Sequence, residues 1–161
     1  MKELTFVAAD ETATRELGLA LASVLPRGAV VALIGTLGAG KTRLVQALAE
    51  GAGAKPGTAV SPTFVLVGEY RTDPPIYHFD AYRLRDEDEF MQLGPDEYFE
   101  GEGICVVEWA DRVEDCLPGD RLEIEIAVKG EQKREMLLRA TGALHQAVVQ
   151  GLADRLGHDG Q

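Results

Sequence analysis

The 161 residues, 45% hydrophobic and 27% charged, suit one soluble globular domain over residues 1–161 and leave no room for an NTPase joined to a separate substrate domain. With 27 acids against 16 bases the net charge is −11, a surface that repels phosphodiester backbones, so tight direct binding of nucleic acid is not expected. No apolar run is long enough to span a membrane and the first residues read as a strand rather than a leader, so no membrane association and a cytoplasmic location are expected.

Leu4-Thr5-Phe6-Val7 reads as a short strand. Asp10 follows as the N-cap of a helix whose apolar face is Ala13, Leu17, Ala20, Leu21 and Val24, broken by Pro26-Arg27-Gly28. The apolar run over 29–34 predicts a buried strand, and Gly35-Thr36-Leu37-Gly38-Ala39-Gly40-Lys41-Thr42 comes directly after it. This is G-x-x-x-x-G-K-T in the strand–loop–helix setting that a phosphate-binding loop requires. Glycines at 35, 38 and 40 let the backbone curl so that successive N–H groups face phosphate oxygens, and the positive end of the next helix adds to the attraction. Lys41 is expected to reach the β- and γ-phosphates with a tip that nothing else supports, and the Thr42 hydroxyl to bind Mg²⁺. The candidate nucleotide-binding run is therefore Gly38, Ala39, Gly40, Lys41, Thr42 and Arg43.

A helix over 41–50 buries Leu44, Ala47 and Leu48 and ends at Gly51 and Gly53. Residues 56–63 read as a loop, and Ser61-Pro62-Thr63 within it could sense a γ-phosphate as switch loops do or could simply be a proline-stiffened turn. Strands are expected over 64–70 and 75–80, joined by a turn at Asp73-Pro74. Residues 86–102 carry eight acids and no base, the pattern of a solvated face with short helices or of a docking surface. Ile104-Cys105-Val106-Val107 predicts a strand buried on both faces. Leu122, Ile124, Ile126 and Val128 alternate with charges, so a half-exposed strand turns at Lys129-Gly130-Glu131 into a second strand over 133–140. A final helix over 142–156 carries Leu144, Val148, Leu152 and Leu156 at four-residue steps. Cys105 and Cys116 fit neither a metal spacing nor a disulfide framework and are expected as reduced thiols. The expected fold is α/β: a mixed, mainly parallel sheet flanked by helices, with an antiparallel hairpin and a last helix, and the phosphate site at the carboxyl ends of the parallel strands.

Such a loop needs an acid to hold or order Mg²⁺ at the end of a neighbouring buried strand. Glu108 and Asp80 both end apolar strands, where a carboxylate is costly unless it meets a cation or a donor. Glu108 is the favoured metal partner, and Asp80 would orient the attacking water or support the metal site from behind; either could instead cap the next turn. His78 reads as a packed strand histidine, Arg83 and Arg112 as possible contacts to phosphate or an acidic partner, and Trp109 as a half-buried anchor beside the site.

Four motifs in order, Gly-Thr-Leu-Gly-Ala-Gly-Lys-Thr (35–42), Ser-Pro-Thr-Phe (61–64), Tyr-His-Phe-Asp-Ala-Tyr-Arg-Leu (77–84) and Val-Glu-Trp-Ala-Asp-Arg (107–112), resemble the bacterial TsaE (YjeE) ATPases along nearly the whole chain. The resemblance implies an ATP- and Mg²⁺-dependent ATPase that joins a tRNA threonylcarbamoyltransferase and its companion subunit in making threonylcarbamoyl-adenosine beside the anticodon. Carried over by position, it puts Lys41 and Thr42 at the phosphates and Mg²⁺, Asp80, Glu108 and Trp109 in the hydrolytic site, and Glu11 and Thr12 beside the adenine. Thr36 stands where the family commonly has aspartate, which takes a charge away from the loop. A small-molecule kinase would add an arginine-bearing lid, for which there is no segment, and a nucleotide-gated binding module with negligible hydrolysis is a third reading.

Overall fold

Continuous apolar runs form the middle of a sheet and alternating ones its half-covered side. The computed structural model describes residues 1–36, 39–55 and 67–157. Their strands are β1 (Lys2–Ala8), β2 (Val30–Gly35), β3 (Val67–Tyr70), β4 (Ile76–Asp80), β5 (Ile104–Glu108), β6 (Arg121–Val128) and β7 (Arg134–Thr141). The helices are α1 (Glu11–Val24), α2 (Lys41–Gly51), α3 (Glu87–Met91), α4 (Pro95–Phe99) and α5 (Ala143–Leu156), with a 3₁₀ helix over Ala110–Cys116. The strands form one sheet in the order β1-β7-β6-β2-β5-β4-β3. Its four central strands, β6, β2, β5 and β4, are parallel, whereas β7, β1 and β3 join antiparallel. This is the expected mixed α/β architecture, and every residue of β5 is buried, as its apolar run requires.

The two faces differ. Leu17 and Leu21 of α1, Leu44 and Leu48 of α2, and Val148 and Leu152 of α5 pack with Val31, Leu33, Leu122 and Ile124 of the sheet. On the other face Phe79, Cys105 and Val107 meet Phe90 of α3 and Ala110 and Val113 of the 3₁₀ helix. The Asp10 carboxylate accepts from the Ala13 amide at 2.9 Å, so it caps α1 as its position predicts. The acidic stretch folds into α3 and α4, whose first turns carry the acids that suit the positive end of a helix. Both cysteines are free, and burial pushes the Cys105 thiol up to about 12 and, with Glu87 beside it, the Cys116 thiol up to about 11. No helix among the described residues is long and apolar enough to cross a membrane. The Ser61-Pro62-Thr63-Phe64 motif and the start of the strand expected over 64–70 lie outside the described residues.

The last helix differs from its leucine pattern. Leu144 is 41% exposed, and the buried face runs instead through His145, Val148, Val149, Leu152 and Ala153. A strict four-residue step drifts by about 40° per step around a helix of 3.6 residues per turn, so Leu144 and Val148 begin to leave one line. His145 takes the vacated place and is bonded at both nitrogens. The Val30 amide donates to Nε2 at 3.0 Å, so Nδ1 carries the proton that bridges to Asp120 at 2.7 Å. Asp120 also accepts from the Leu144 and His145 amides, which ties the start of α5 to the start of β6.

These contacts set a pH dependence. Burial is the largest single influence on Asp120 and works upward, but the bonds from the His145 ring and the two amides, with attraction to His145, hold its carboxyl below 3.8. A carboxyl held low in the fold contributes stability above its unfolded value and loses it as pH falls through its folded one. The side chain is 39% exposed, so solvent screens the effect and keeps it small. The stability difference between the parent and Asp120→Asn, measured by urea unfolding, should be open at neutral pH and close as pH falls below 3.8. A difference that persists into strong acid excludes this origin.

Candidate nucleotide-binding site

Gly35, Glu108 and Asp80 stand at the carboxyl ends of β2, β5 and β4, with Asp80 paired to Glu108 in the register. Above them opens a cavity of about 410 Å³. Its walls are Ala39, Gly40, Lys41, Thr42, Arg43 and Gln46 from the loop and α2, Glu11 and Thr14 from α1, Glu108 and Trp109 after β5, and Gln132 and Arg134 from the β6–β7 hairpin. Gly40 has φ +99° and gives α2 no side-chain cap, so the first amides of that helix have no side chain competing for them. Gly35 is required by a close approach, because a Cβ there would stand 2.9 Å from the Ile126 carbonyl oxygen.

Lys41 is buried, and its tip is not unsupported as the sequence suggests. Nζ donates to the carbonyl oxygens of Gly35 at 2.7 Å and Thr36 at 2.8 Å and lies 4.2 Å from the centre of the Trp109 ring. A desolvated ammonium has to find acceptors, and the loop's own carbonyls and the indole face provide them. Burial lowers the lysine's pKa from 10.5, opposed by the charges of Glu108, Asp111 and Asp80. Since Thr36 contributes through its carbonyl, this contact is independent of the missing aspartate side chain.

Trp109 is the one non-glycine residue with positive φ among those described, at +59°. A bulky side chain rarely takes that conformation. Here it turns the indole between Lys41 and Tyr82, whose ring centre is 4.8 Å away. Glu108 is 5% exposed and lines the cavity, while its Oε2 sits 2.5 Å from His78 Nε2. Asp80 turns aside: its Oδ1 accepts from the Tyr82 amide at 3.0 Å, the cap considered as the alternative for it, and it stays close enough to Lys41 to act on its charge.

Of the other expected residues, Glu11 lines the main cavity and pairs with Arg43 at 3.3 Å. Thr12 does not reach that cavity and lines an adjacent one of about 230 Å³ between α1 and α2. Gly38 lies outside the described residues. Arg112 braces protein rather than facing a ligand, donating to the carbonyl oxygens of Tyr82 and Leu84 at 2.5 and 2.9 Å. Sequence reading missed Thr14, Gln46, Gln132 and Arg134. Arg134 donates through Nε to the Ala39 carbonyl at 3.0 Å across 95 residues of chain, a meeting fixed only by β6 lying beside β2.

The residues suit a Mg²⁺–nucleotide. An uncapped helix start, a buried ammonium and a buried carboxylate share one cavity, which matches an anion accompanied by a hard cation. Among the described residues no three His, Cys, Asp or Glu side chains could together hold a metal. Thr42 and Glu108 are among the oxygen-bearing side chains that line the cavity.

Comparison with known proteins identifies the family. Residues 8–136 match the family described as threonylcarbamoyl adenosine biosynthesis protein TsaE. The tRNA threonylcarbamoyladenosine biosynthesis protein TsaE of Bacillus subtilis is 39% identical over 154 residues, 95% of this chain and 96% of its own length. The protein of the same description from Synechocystis is 46% identical over 115 residues, 68% of this chain and 72% of its own. The crystal structure of Bacillus subtilis YdiB superposes with a TM-score of 0.81 at 34% identity, covering 96% of each chain. The matched span holds the loop, both strand-end acids and the hairpin arginine, and the chain belongs to the TsaE family.

Proposed function

We propose that the protein is a Mg²⁺-dependent ATPase that docks on a tRNA threonylcarbamoyltransferase and its companion subunit in the cytoplasm and supports threonylcarbamoyl-adenosine formation through its ATP cycle. The observation that carries this reading is the convergence of Lys41, Thr42 and Glu108 on one cavity at the start of α2. The names of the similar proteins supply the pathway.

In this reading the amides after Gly40 and the Lys41 ammonium would hold the phosphates, and Thr42 and Glu108 would hold the metal. Mg²⁺ would neutralise charge on the β- and γ-oxygens. Trp109 closes the wall beside Lys41 and limits water around the reacting end, while Asp80 keeps the turn after β4 in place through the Tyr82 amide. Glu11 on the main cavity and Thr12 on the adjacent one would lie beside the base.

Glu108→Ala should cut phosphate release about 100-fold at saturating ATP and weaken ATP binding much less, because the carboxylate would act at the reacting end whereas the loop would supply most ground-state affinity. Asp80→Ala should act in the same direction and less, since its oxygen is engaged by the Tyr82 amide. Single-turnover hydrolysis with partners present checks both, and a Glu108→Ala protein that turns over like the parent removes that residue from the mechanism.

A further inference from the structure

Behind Glu108 lies a buried chain of polar groups that the proposed chemistry does not use. Tyr70 of β3, His78 of β4 and Glu108 of β5 sit on the sheet face covered by α2, each displaced two residues from its register partner on the next strand. His78 Nε2 is 2.5 Å from Glu108 Oε2, and His78 Nδ1 is 3.3 Å from the Tyr70 hydroxyl. His78 is 0% exposed, Glu108 5% and Tyr70 8%, and no buried side-chain polar atom among the described residues lacks a partner. A carboxylate only accepts, so the bridging proton sits on Nε2; in the neutral ring Nδ1 is then left to accept from the Tyr70 hydroxyl.

We infer that His78 is a positioning residue for Glu108. A glutamate has three rotatable bonds, and one at a strand tip beside a cavity has several ways to point. Anchoring Oε2 on a ring that is packed between strands and oriented by Tyr70 removes most of them. It leaves Oε1 as the oxygen free of that bond and fixes where it can meet a cation. The bond ties a wholly buried ring to Glu108, the one acid among the described residues that is both buried and on the cavity wall. The inference rests on the reading of Glu108 as a metal ligand.

The test is Mn²⁺ affinity in the presence of ADP, by electron paramagnetic resonance, beside ADP affinity with the metal chelated. His78→Leu, apolar and of similar bulk, should weaken Mn²⁺ binding by roughly 10–100-fold, the usual effect of losing the partner that orients a ligand, and leave metal-free ADP binding unchanged. His78→Gln, which can still present an N–H towards Glu108, should recover most of the loss. Tyr70→Phe removes a single oxygen and should weaken Mn²⁺ binding in the same direction and less, which keeps the test decisive if His78→Leu does not fold. Unchanged Mn²⁺ affinity in folded His78→Leu and Tyr70→Phe overturns the proposal, as does an equal fall in metal-free ADP binding or a failure of glutamine to rescue. Glu108→Ala measured alongside separates the two readings. If it weakens Mn²⁺ binding and His78→Leu does not, only the role of His78 falls; if it leaves Mn²⁺ binding intact, the metal role of Glu108 falls and takes the inference with it.

Discussion

Lys41→Ala is expected to lose ATP affinity by about 10³-fold, the scale of two charge-assisted hydrogen bonds to phosphate at roughly 1.5–3 kcal/mol each. The ammonium is bonded to the Gly35 and Thr36 carbonyls and covered by Trp109. Nucleotide therefore has to exchange those contacts for its own oxygens, and the exchange can be seen, because the lysine lies 4.2 Å from the centre of the chain's single tryptophan ring. ATP should change Trp109 fluorescence in the parent. Lys41→Ala should start from an altered emission and show little further change. The same geometry makes the variant somewhat less stable, since two loop carbonyls lose their partner, so thermal unfolding must accompany the binding measurement. Folded Lys41→Ala protein that binds ATP with parental affinity would remove the loop from the proposed function.

The site was legible in the sequence wherever its chemistry is local and opaque wherever it depends on strands meeting. Lys41, Thr42 and the amides after Gly40 follow from eight consecutive residues, because loop and helix start form one covalent stretch. Glu108 could be found because a carboxylate ending a wholly apolar strand needs a reason to be there. Its bond to His78 could not, since it depends on the register that pairs His78 with Val106. Arg134 was hidden for the same reason: the sequence predicts the hairpin but not that β6 lies against β2, which brings the start of β7 over Ala39. The resting position of the Lys41 tip depends on the φ of Trp109, a conformation that its residue type argues against. Asp80 and Glu108 both end strands in the sequence, and in the fold the Tyr82 amide engages Asp80 whereas His78 holds Glu108 on the cavity wall.

Hydrolysis by the isolated chain should be slow and rise by about 10³–10⁵-fold in the assembled complex, the range associated with an arginine supplied from outside to the transferring phosphoryl group. The arginines that line the main cavity are already engaged. Arg43 pairs with Glu11, and Arg134 donates to Ala39 and to the hairpin carbonyls of Gly130 and Lys133. Arg112 is committed to Tyr82 and Leu84. Releasing Arg134 or Arg112 would free several backbone carbonyls at once, which makes a partner the simpler source of positive charge. The charge balance points the same way. At −11 the chain gains little from tRNA and can be steered onto a basic protein surface, with the acids of α3 and α4 among the groups that would feel it. Docking between exposed charges weakens as salt rises, whereas Mg²⁺–ATP binding, which on the proposed function would use the buried Lys41 and Glu108, should weaken less. Phosphate release and partner binding measured across a salt series would therefore separate, with activation lost before nucleotide affinity. Equal turnover by the chain alone and by the complex, or tight tRNA binding without partners at physiological salt, rules this account out.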